Sequence, residues 1–131
     1  MNLDFFKTSP LIDEVIDISE LEELLASGTK LRHYIGFEIS GNPHIGSGLV
    51  TMAVVKELQK LGVETTIFLA DWHSWINKKL GGDREFIKKV AHNSFKHMMI
   101  AAAIAVGADP EKITFILGSD LYEEKPVHWA N

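Results

Sequence analysis

The amino-acid sequence predicts an α/β fold in which three parallel strands are flanked by helices. Short runs of apolar and β-branched residues, which are typical of buried strands, alternate with longer segments of helical periodicity. Each predicted strand ends where glycine-rich or polar residues begin. The order strand, helix, strand, helix, strand favours right-handed crossovers and therefore a parallel sheet with helices on its faces. All 131 residues are expected to form a single domain.

The expected organisation is a helical arm over residues 1–30, a βαβαβ core over 31–118 and a polar tail over 119–131. Within the arm, Ser19 and Glu22 have the spacing of a capping box, and Gly28 is expected to end the helix. The predicted strands cover residues 31–37, 64–70 and 113–117, and the main helices cover 45–61 and 84–106. The middle strand does not alternate, so it is expected to be covered on both faces.

The helix predicted over 84–106 is the most apolar element of the chain. Its expected inward side consists of Phe86, Ile87, Val90, Phe95 and either Met98 or Met99. The segment 98–106 is apolar nearly all round, which indicates burial. Plain core packing and a contact with a second copy of the chain both fit this pattern, and we expect a homodimer or a larger assembly.

Composition excludes several classes of function. The net charge of −5 argues against a broad electrostatic grip on nucleic acid. The sequence has no cysteine, which excludes disulfides and thiolate metal sites and favours the cytoplasm. We expect neither a signal peptide nor a membrane-spanning segment, because charged residues interrupt every long apolar run. No metal site is predicted, since Asp71 and His73 alone do not make one.

Residues 34–48, YIGFEISGNPHIGSG, join a predicted strand to a helix start and are rich in glycine. Glycines let a ligand approach the backbone, and a helix N-terminus favours phosphate. The spacing fits neither a P-loop nor a G-x-G-x-x-G fingerprint. His44 opens the helix, where it can donate a hydrogen bond to an anion or merely cap the turn. The residues alone leave both readings open.

Residues 43–48, PHIGSG, resemble the HIGH signature of class I aminoacyl-tRNA synthetases. YIGFEISG at 34–41, FLADWHSW at 68–75 and LGSDLY at 117–122 resemble tyrosyl-tRNA synthetases of the archaeal and eukaryotic kind. The resemblance runs from about residue 10 to the end, and tryptophanyl-tRNA synthetases are the nearest enzyme alternative. It implies half of the Rossmann-like fold of class I synthetases.

The resemblance also implies roles for individual residues. His44 would contact the ATP phosphates and stabilise the transition state of adenylate formation. Ser47 stands where the signature has its second histidine, and it offers a hydrogen bond without a positive charge. The implied ATP-binding residues are Gly36, Phe37, Glu38, Gly41, His44, Gly46 and Gly48. The implied tyrosine-binding residues are Tyr34, Gly36, Glu38, Ala70 and His73.

The implied reaction is the activation of tyrosine by ATP, with Mg²⁺, to tyrosyl-adenylate for the charging of tRNA(Tyr). Enzymes of this family continue with the second half of the Rossmann fold, a KMSKS-type loop and an anticodon-binding domain. The chain is therefore expected to be an N-terminal catalytic half-domain that is weak or inactive alone and does not bind tRNA(Tyr) by itself. The alternatives are a non-catalytic nucleotide-binding module and a self-assembling Rossmann scaffold.

Overall fold

Three parallel strands form one sheet in the order β1-β2-β3. The structure is a computed structural model that describes residues 3–129 except the side chains at 127 and 129. The strands are β1 (Arg32–Glu38), β2 (Glu64–Ala70) and β3 (Ile113–Leu117). The pairing of β1 with β2 ends at Glu38↔Ala70, and that of β2 with β3 ends at Leu69↔Leu117. The predicted parallel sheet is confirmed, with β1 displaced by one residue from its expected bounds.

Helices occupy most of the connections between the strands. They are α1 (Asp4–Thr8), α2 (Ile18–Ala26), α3 (Thr51–Lys60), α4 (Asp71–Ile76), α5 (Arg84–Val90), α6 (Lys96–Val106), α7 (Gly118–Glu124) and α8 (Pro126–Trp129). A π-helical turn, Gly46–Val50, leads into α3, and a second one, Ala91–Phe95, joins α5 to α6. The expected tail thus contains α7 and α8. No helix within residues 3–129 is long and apolar enough to cross a bilayer.

The caps of two helices show how local sequence sets their starts. Asp17 caps α2: its side chain accepts a hydrogen bond from the backbone N–H of Glu20 at 2.9 Å, which lowers the pKa of the carboxyl group. The predicted cap, Ser19, instead donates to Asp17 at 2.8 Å, so the predicted capping box is wrong. Asp83 caps α5, since its side chain accepts a hydrogen bond from the N–H of Phe86 at 2.9 Å.

The hydrophobic core lies on one face of the sheet, which we call the covered face. Strand residues Ile67 and Leu69 pack there against side chains of the helices, which include Met52, Val55, Ile87, Ala91, Phe95, Met99 and Ala103. Two expectations for the long helix are wrong. Phe86 is 48% exposed, and the segment 98–106 is buried on one side only, since Met98 and Ile104 face solvent. Met99, with no exposed surface, is the methionine that packs inward.

The other face of the sheet, which we call the open face, carries Tyr34, Gly36, Thr66, Phe68 and Ile116. Successive side chains of a strand point to opposite faces, so these residues cannot reach the core. Tyr34 is 64% exposed. We expected helices to cover both faces of β2. Within residues 3–129 they cover only one face, although α7 reaches the carboxyl end of the open face.

Candidate active site

The three strand ends singled out in the sequence lie at one edge of the sheet. Because the strands are parallel and paired in register, Glu38 lies beside Ala70, and Leu69 lies beside Leu117. The glycine-rich loop leaves this edge after β1, α4 leaves it after β2, and α7 leaves it after β3. Open α/β sheets bind ligands in the crevice outside the carboxyl ends of their strands, so this edge is the candidate site.

His44 forms a reciprocal cap with Ser47 at the start of the helical segment. The ring nitrogen Nδ1 of His44 accepts a hydrogen bond from the N–H of Gly46 at 3.2 Å. In return, the N–H of His44 donates to Ser47 Oγ at 3.0 Å. Since Nδ1 accepts, the proton of the neutral ring resides on Nε2. His44 therefore caps the turn with one nitrogen and keeps the other, on an exposed side chain, as a donor for a ligand.

The glycines of this turn are required by the packing and the backbone conformation of the loop. A Cβ on Gly46 would lie 3.2 Å from Cε1 of His44, so the small residue lets the imidazole sit against the backbone. Gly48 is buried, and its Cβ would lie 3.8 Å from Ala102 of α6 and from Pro43. Gly41 has φ +151°, a conformation that other residues rarely adopt. The loop shape is thus fixed by glycine at the positions that the sequence singled out.

A long-range hydrogen bond holds the loop against the helices below it. Ser94 Oγ donates to Oδ1 of Asn42 at 3.1 Å. Ser94 lies in the π-helical turn Ala91–Phe95, and such turns often occur at functional sites. Sequence reasoning missed this contact, because the two residues are far apart in the chain and neither carries a distinctive motif.

Glu38 ends β1 and is held by the segment that follows α4. Its carboxylate accepts from Asn77 Nδ2 at 2.5 Å and pairs with Lys79 Nζ at 3.3 Å. The hydrogen bond from Asn77 lowers the pKa of Glu38, with smaller contributions in the same direction from Lys79 and His73. Glu38 at the end of β1 and His73 in α4, the helix that follows β2, therefore lie at the same edge of the sheet. Lys79 and Asn77 were not singled out in the sequence.

The open face forms the second part of the site. The Tyr34 hydroxyl oxygen would lie 3.4 Å from a Cβ on Gly36. The ring of Tyr34 stands 6.1 Å from that of Phe68, and the ring of Phe68 stands 6.2 Å from that of Tyr122 on α7. Sequence reasoning named neither Phe68 nor Tyr122 as a site residue. The available signal for Phe68 was strand geometry, because successive side chains of a strand point to opposite faces and Phe68 must therefore point away from Ile67 and Leu69. The register of the sheet then places its ring beside Gly36.

Phe37 is not one of the residues on the open face. It lies on the covered face, and its ring packs 5.8 Å from that of Phe95. Because it is adjacent to Gly36 and Glu38 in a strand, it must point the opposite way. The expectation that Phe37 lines the ATP site is therefore corrected: its side chain contributes to the core.

Asp71 is buried and uses one carboxylate oxygen to link two helices. It is 1% exposed, and Oδ1 accepts a hydrogen bond from the N–H of Ser119 at 2.9 Å, which ties the start of α4 to α7. It therefore does not form a surface metal pair with His73, which is exposed. Within the described part of the chain, no three His, Cys, Asp or Glu side chains are grouped so as to hold a metal ion.

The three-stranded parallel sheet with its flanking helices is the N-terminal half of a Rossmann-like class I synthetase fold. The family described as tRNA synthetases class I (W and Y) matches residues 26–131. The chain belongs to this family.

Similar sequences and structures within the family are tyrosine enzymes. The tyrosine–tRNA ligase of Pyrobaculum calidifontis is 50% identical over 117 residues, 89% of this chain and 32% of that protein. That of Thermococcus kodakarensis is 48% identical over 97% of this chain and 33% of that protein. The tyrosyl-tRNA synthetase of Pyrococcus horikoshii, solved with L-tyrosine, superposes with a TM-score of 0.90 at 43% identity, over 99% of this chain and 36% of that one. The expected resemblance is confirmed, and this chain spans about a third of the length of the relatives that it matches.

Proposed function

We propose that this chain supplies the ATP-binding and tyrosine-binding surfaces of a tyrosyl-tRNA synthetase. The reaction is attack of the tyrosine carboxylate on the α-phosphorus of ATP, which forms the acyl–phosphate bond of tyrosyl-adenylate and releases pyrophosphate. Transfer of the tyrosyl group to tRNA(Tyr) in the cytoplasm follows. The single observation that carries the proposal is that one strand–loop unit, in a sheet shared with tyrosine enzymes, holds both His44 and Tyr34. His44 lies in the loop at the carboxyl end of β1, and Tyr34 lies on the open face of the same strand.

ATP fits the glycine-rich loop through the chemistry of its donors. His44 is exposed, and Nε2 is the ring nitrogen that its own loop does not use. A donor held rigidly by a reciprocal cap stabilises developing negative charge without reorganisation during the reaction. Ser47 contributes through this cap, since its hydroxyl fixes the backbone of His44. The chain thus acts by positioning and electrostatics, with no covalent intermediate of its own.

Mg²⁺ would arrive with ATP. The described residues offer no cluster of ligands for a resident ion, and Mg²⁺ is commonly held by substrate phosphates together with only one or two carboxylates. When bound, the ion would neutralise charge on the phosphates.

Tyrosine would bind over the open face. The space above Gly36 is bordered by the Tyr34 hydroxyl and by the ring of Phe68. An apolar wall with one hydroxyl suits a phenol, because the hydroxyl can pair with the phenol oxygen. Ala70 ends β2 on the same face as Phe68 and pairs with Glu38, and we assign His73, in the helix that follows, to the same end of the site.

The test is ATP–pyrophosphate exchange with tyrosine, with tryptophan and without amino acid. We expect weak tyrosine-dependent exchange that falls further in His44→Ala, by roughly 10²-fold or more, the size of effect seen when one such donor is removed. Preference for tryptophan, or equal exchange in His44→Ala, would contradict the proposal. ATP binding without exchange would support the alternative of a non-catalytic nucleotide-binding module.

We also propose self-association through an apolar groove that includes His44. The residues that line the groove are Pro43, His44, Ile45, Gly48, Leu49, Met98, Ala101, Ala102 and Ala105. Ile45 is 73% exposed, and contiguous apolar surface of this kind favours a protein contact. Light scattering should show a homodimer at micromolar concentration that Met98→Lys disrupts. Ile16→Lys, at an exposed residue outside the groove, is the matched control; a monomer in the wild type would refute this assembly.

A further inference from the structure

Ser74 is a buried polar residue with no role in the proposed chemistry. It lies in α4 with no exposed surface, and its hydroxyl makes two hydrogen bonds. Ser74 Oγ donates to the carbonyl oxygen of Ala70 at 2.7 Å, and it accepts from the N–H of Ile39 at 2.6 Å. Ala70 ends β2, whereas Ile39 follows the last residue of β1. One hydroxyl therefore bridges the ends of two neighbouring strands.

The bridge lies at the place where direct pairing of β1 with β2 stops. Glu38↔Ala70 is the last paired position, so Ile39 has no strand partner. Ile39 is also completely buried, and a buried N–H without an acceptor is costly. The serine hydroxyl satisfies this donor and stands between the two strands. The strands are thus held apart at the point where the crevice between the glycine-rich loop and α4 begins.

We infer that Ser74 is a positioning residue that sets the start of the glycine-rich loop and so places His44 for ATP. Ile39 is the last core residue before that loop, and only residues 40–43 separate it from His44. The far side of the loop is tied to the helices by Asn42 and Ser94. With Ser74 at one end and Ser94 in the middle, the loop is fixed at two points. This inference rests on the proposed function of the loop in ATP binding.

Ser119 provides a matched control. It is also a serine with no exposed surface at a strand end, but no partner of its hydroxyl is found among the described residues. Ser119→Ala removes a buried hydroxyl without removing an acceptor of a backbone N–H. Ser74→Ala removes the same group and leaves the N–H of Ile39 either unsatisfied or pulled toward Ala70. A general loss of packing would affect both variants, whereas a positioning role is confined to Ser74.

The experiment compares the wild-type chain, Ser74→Ala and Ser119→Ala by NMR, at a temperature where thermal unfolding shows each to be folded. In Ser74→Ala we expect the amide of Ile39 to exchange roughly tenfold faster and the apparent Kd for ATP to rise by roughly the same factor. The amide signals of residues 41–48 should move. Ser119→Ala should leave these quantities within about twofold of the wild type, in keeping with the small effect of a hydroxyl that pairs with nothing.

The inference is overturned if Ser74→Ala leaves the loop signals and the amide of Ile39 unchanged, or if Ser119→Ala changes them equally. If the wild-type chain does not bind ATP, the proposed function fails. The experiment still tests the positioning role in that case, because the amide exchange of Ile39 and the NMR signals of the loop are measured without nucleotide.

Discussion

The two faces of the sheet are built from the same strands but differ in what covers them. On the covered face, Ile67 and Leu69 are 0% and 1% exposed beneath α3 and α6. On the open face, Tyr34 is 64% exposed, and the next residue of the strand on that face is Gly36. Alternation along a strand thus separates residues that bury apolar area from residues that border a space.

This difference separates stability from binding. Buried apolar area contributes about 25 cal/mol per Å², so side chains of the covered face carry much of the free energy of folding. Replacing an exposed side chain usually changes the unfolding free energy only slightly. Changes on the covered face should therefore alter the unfolding free energy, and changes on the open face should alter ligand affinity. The following experiments test that separation.

Substitutions at Met99 and Met98 should differ most in their effect on the unfolding free energy. Met99 has no exposed surface, whereas Met98 is 39% exposed. Met99→Ala should lower the unfolding free energy by about 2–5 kcal/mol, because it leaves a cavity in the core. Met98→Ala should cost less than about 1 kcal/mol. Urea unfolding of both variants provides the measurement, and equal losses would show that the two residues are not divided between core and surface as described.

Gly118 tests the junction of the two faces at the end of β3. A Cβ there would lie 2.8 Å from Oδ1 of Asp71 and 3.0 Å from Cζ of Phe68, so a buried carboxylate and a ring would have to move. Gly118→Ala should therefore lower the unfolding free energy by about 1–3 kcal/mol. The control is Gly48→Ala, at a buried glycine whose Cβ would have its nearest neighbours at 3.8 Å. Equal thermal unfolding midpoints for the two variants would refute the crowding described at Gly118.

Gly36 tests the open face directly. Its Cβ would be no closer than 3.4 Å to another atom, which is ordinary contact. Gly36→Ala should leave the unfolding free energy unchanged or raise it by up to about 1 kcal/mol, since alanine restricts the unfolded chain. It should weaken tyrosine binding by roughly tenfold, because the methyl group fills the space beside Tyr34. Calorimetric titration with tyrosine measures the second effect, and unchanged affinity would place the amino acid elsewhere.

His33 on β1 gives the smallest expected effect, a dependence of stability on pH. Its Nδ1 lies 3.2 Å from Oγ1 of Thr65, and burial lowers the pKa of the imidazole below 6.5. The unfolded chain then binds the proton more readily than the folded one. The unfolding free energy should be highest above pH 6.5 and should fall as the pH drops through that value and below it. In His33→Gln the urea midpoints at pH 7.5 and 5.5 should lie closer together than in the wild type.

Local sequence was sufficient for much of the fold. The bounds of β2 and β3 follow from continuous apolar and β-branched runs, and the α5 cap follows from Asp83 after two glycines. The glycine-rich loop could be located because strand, loop and helix start are contiguous in the chain. The HIGH-like residues identified the family for the same reason.

The inward side of the long helix could not be read from the sequence. The π-helical turn Ala91–Phe95 inserts an extra residue into the helix, so positions on either side of it do not share one period. Phe86 lies before this turn and is exposed, next to a buried stripe that begins at Ile87 and continues through Ala91 and Phe95. A helical period assumes constant geometry, and the turn breaks that assumption.

The sequence by itself determined which residue types make up the candidate site: a histidine at a helix start, glycines before and after it, and a tyrosine on the preceding strand. Only the tertiary structure decided what holds them there. His44 and Ser47 cap each other within one turn, but Ser74 reaches Ile39 across 35 positions, and Ser94 reaches Asn42 across 52. The sequence carries no signature for the distant hydrogen-bond partner of a hydroxyl group, because that partner is chosen by the packing of helices on the sheet.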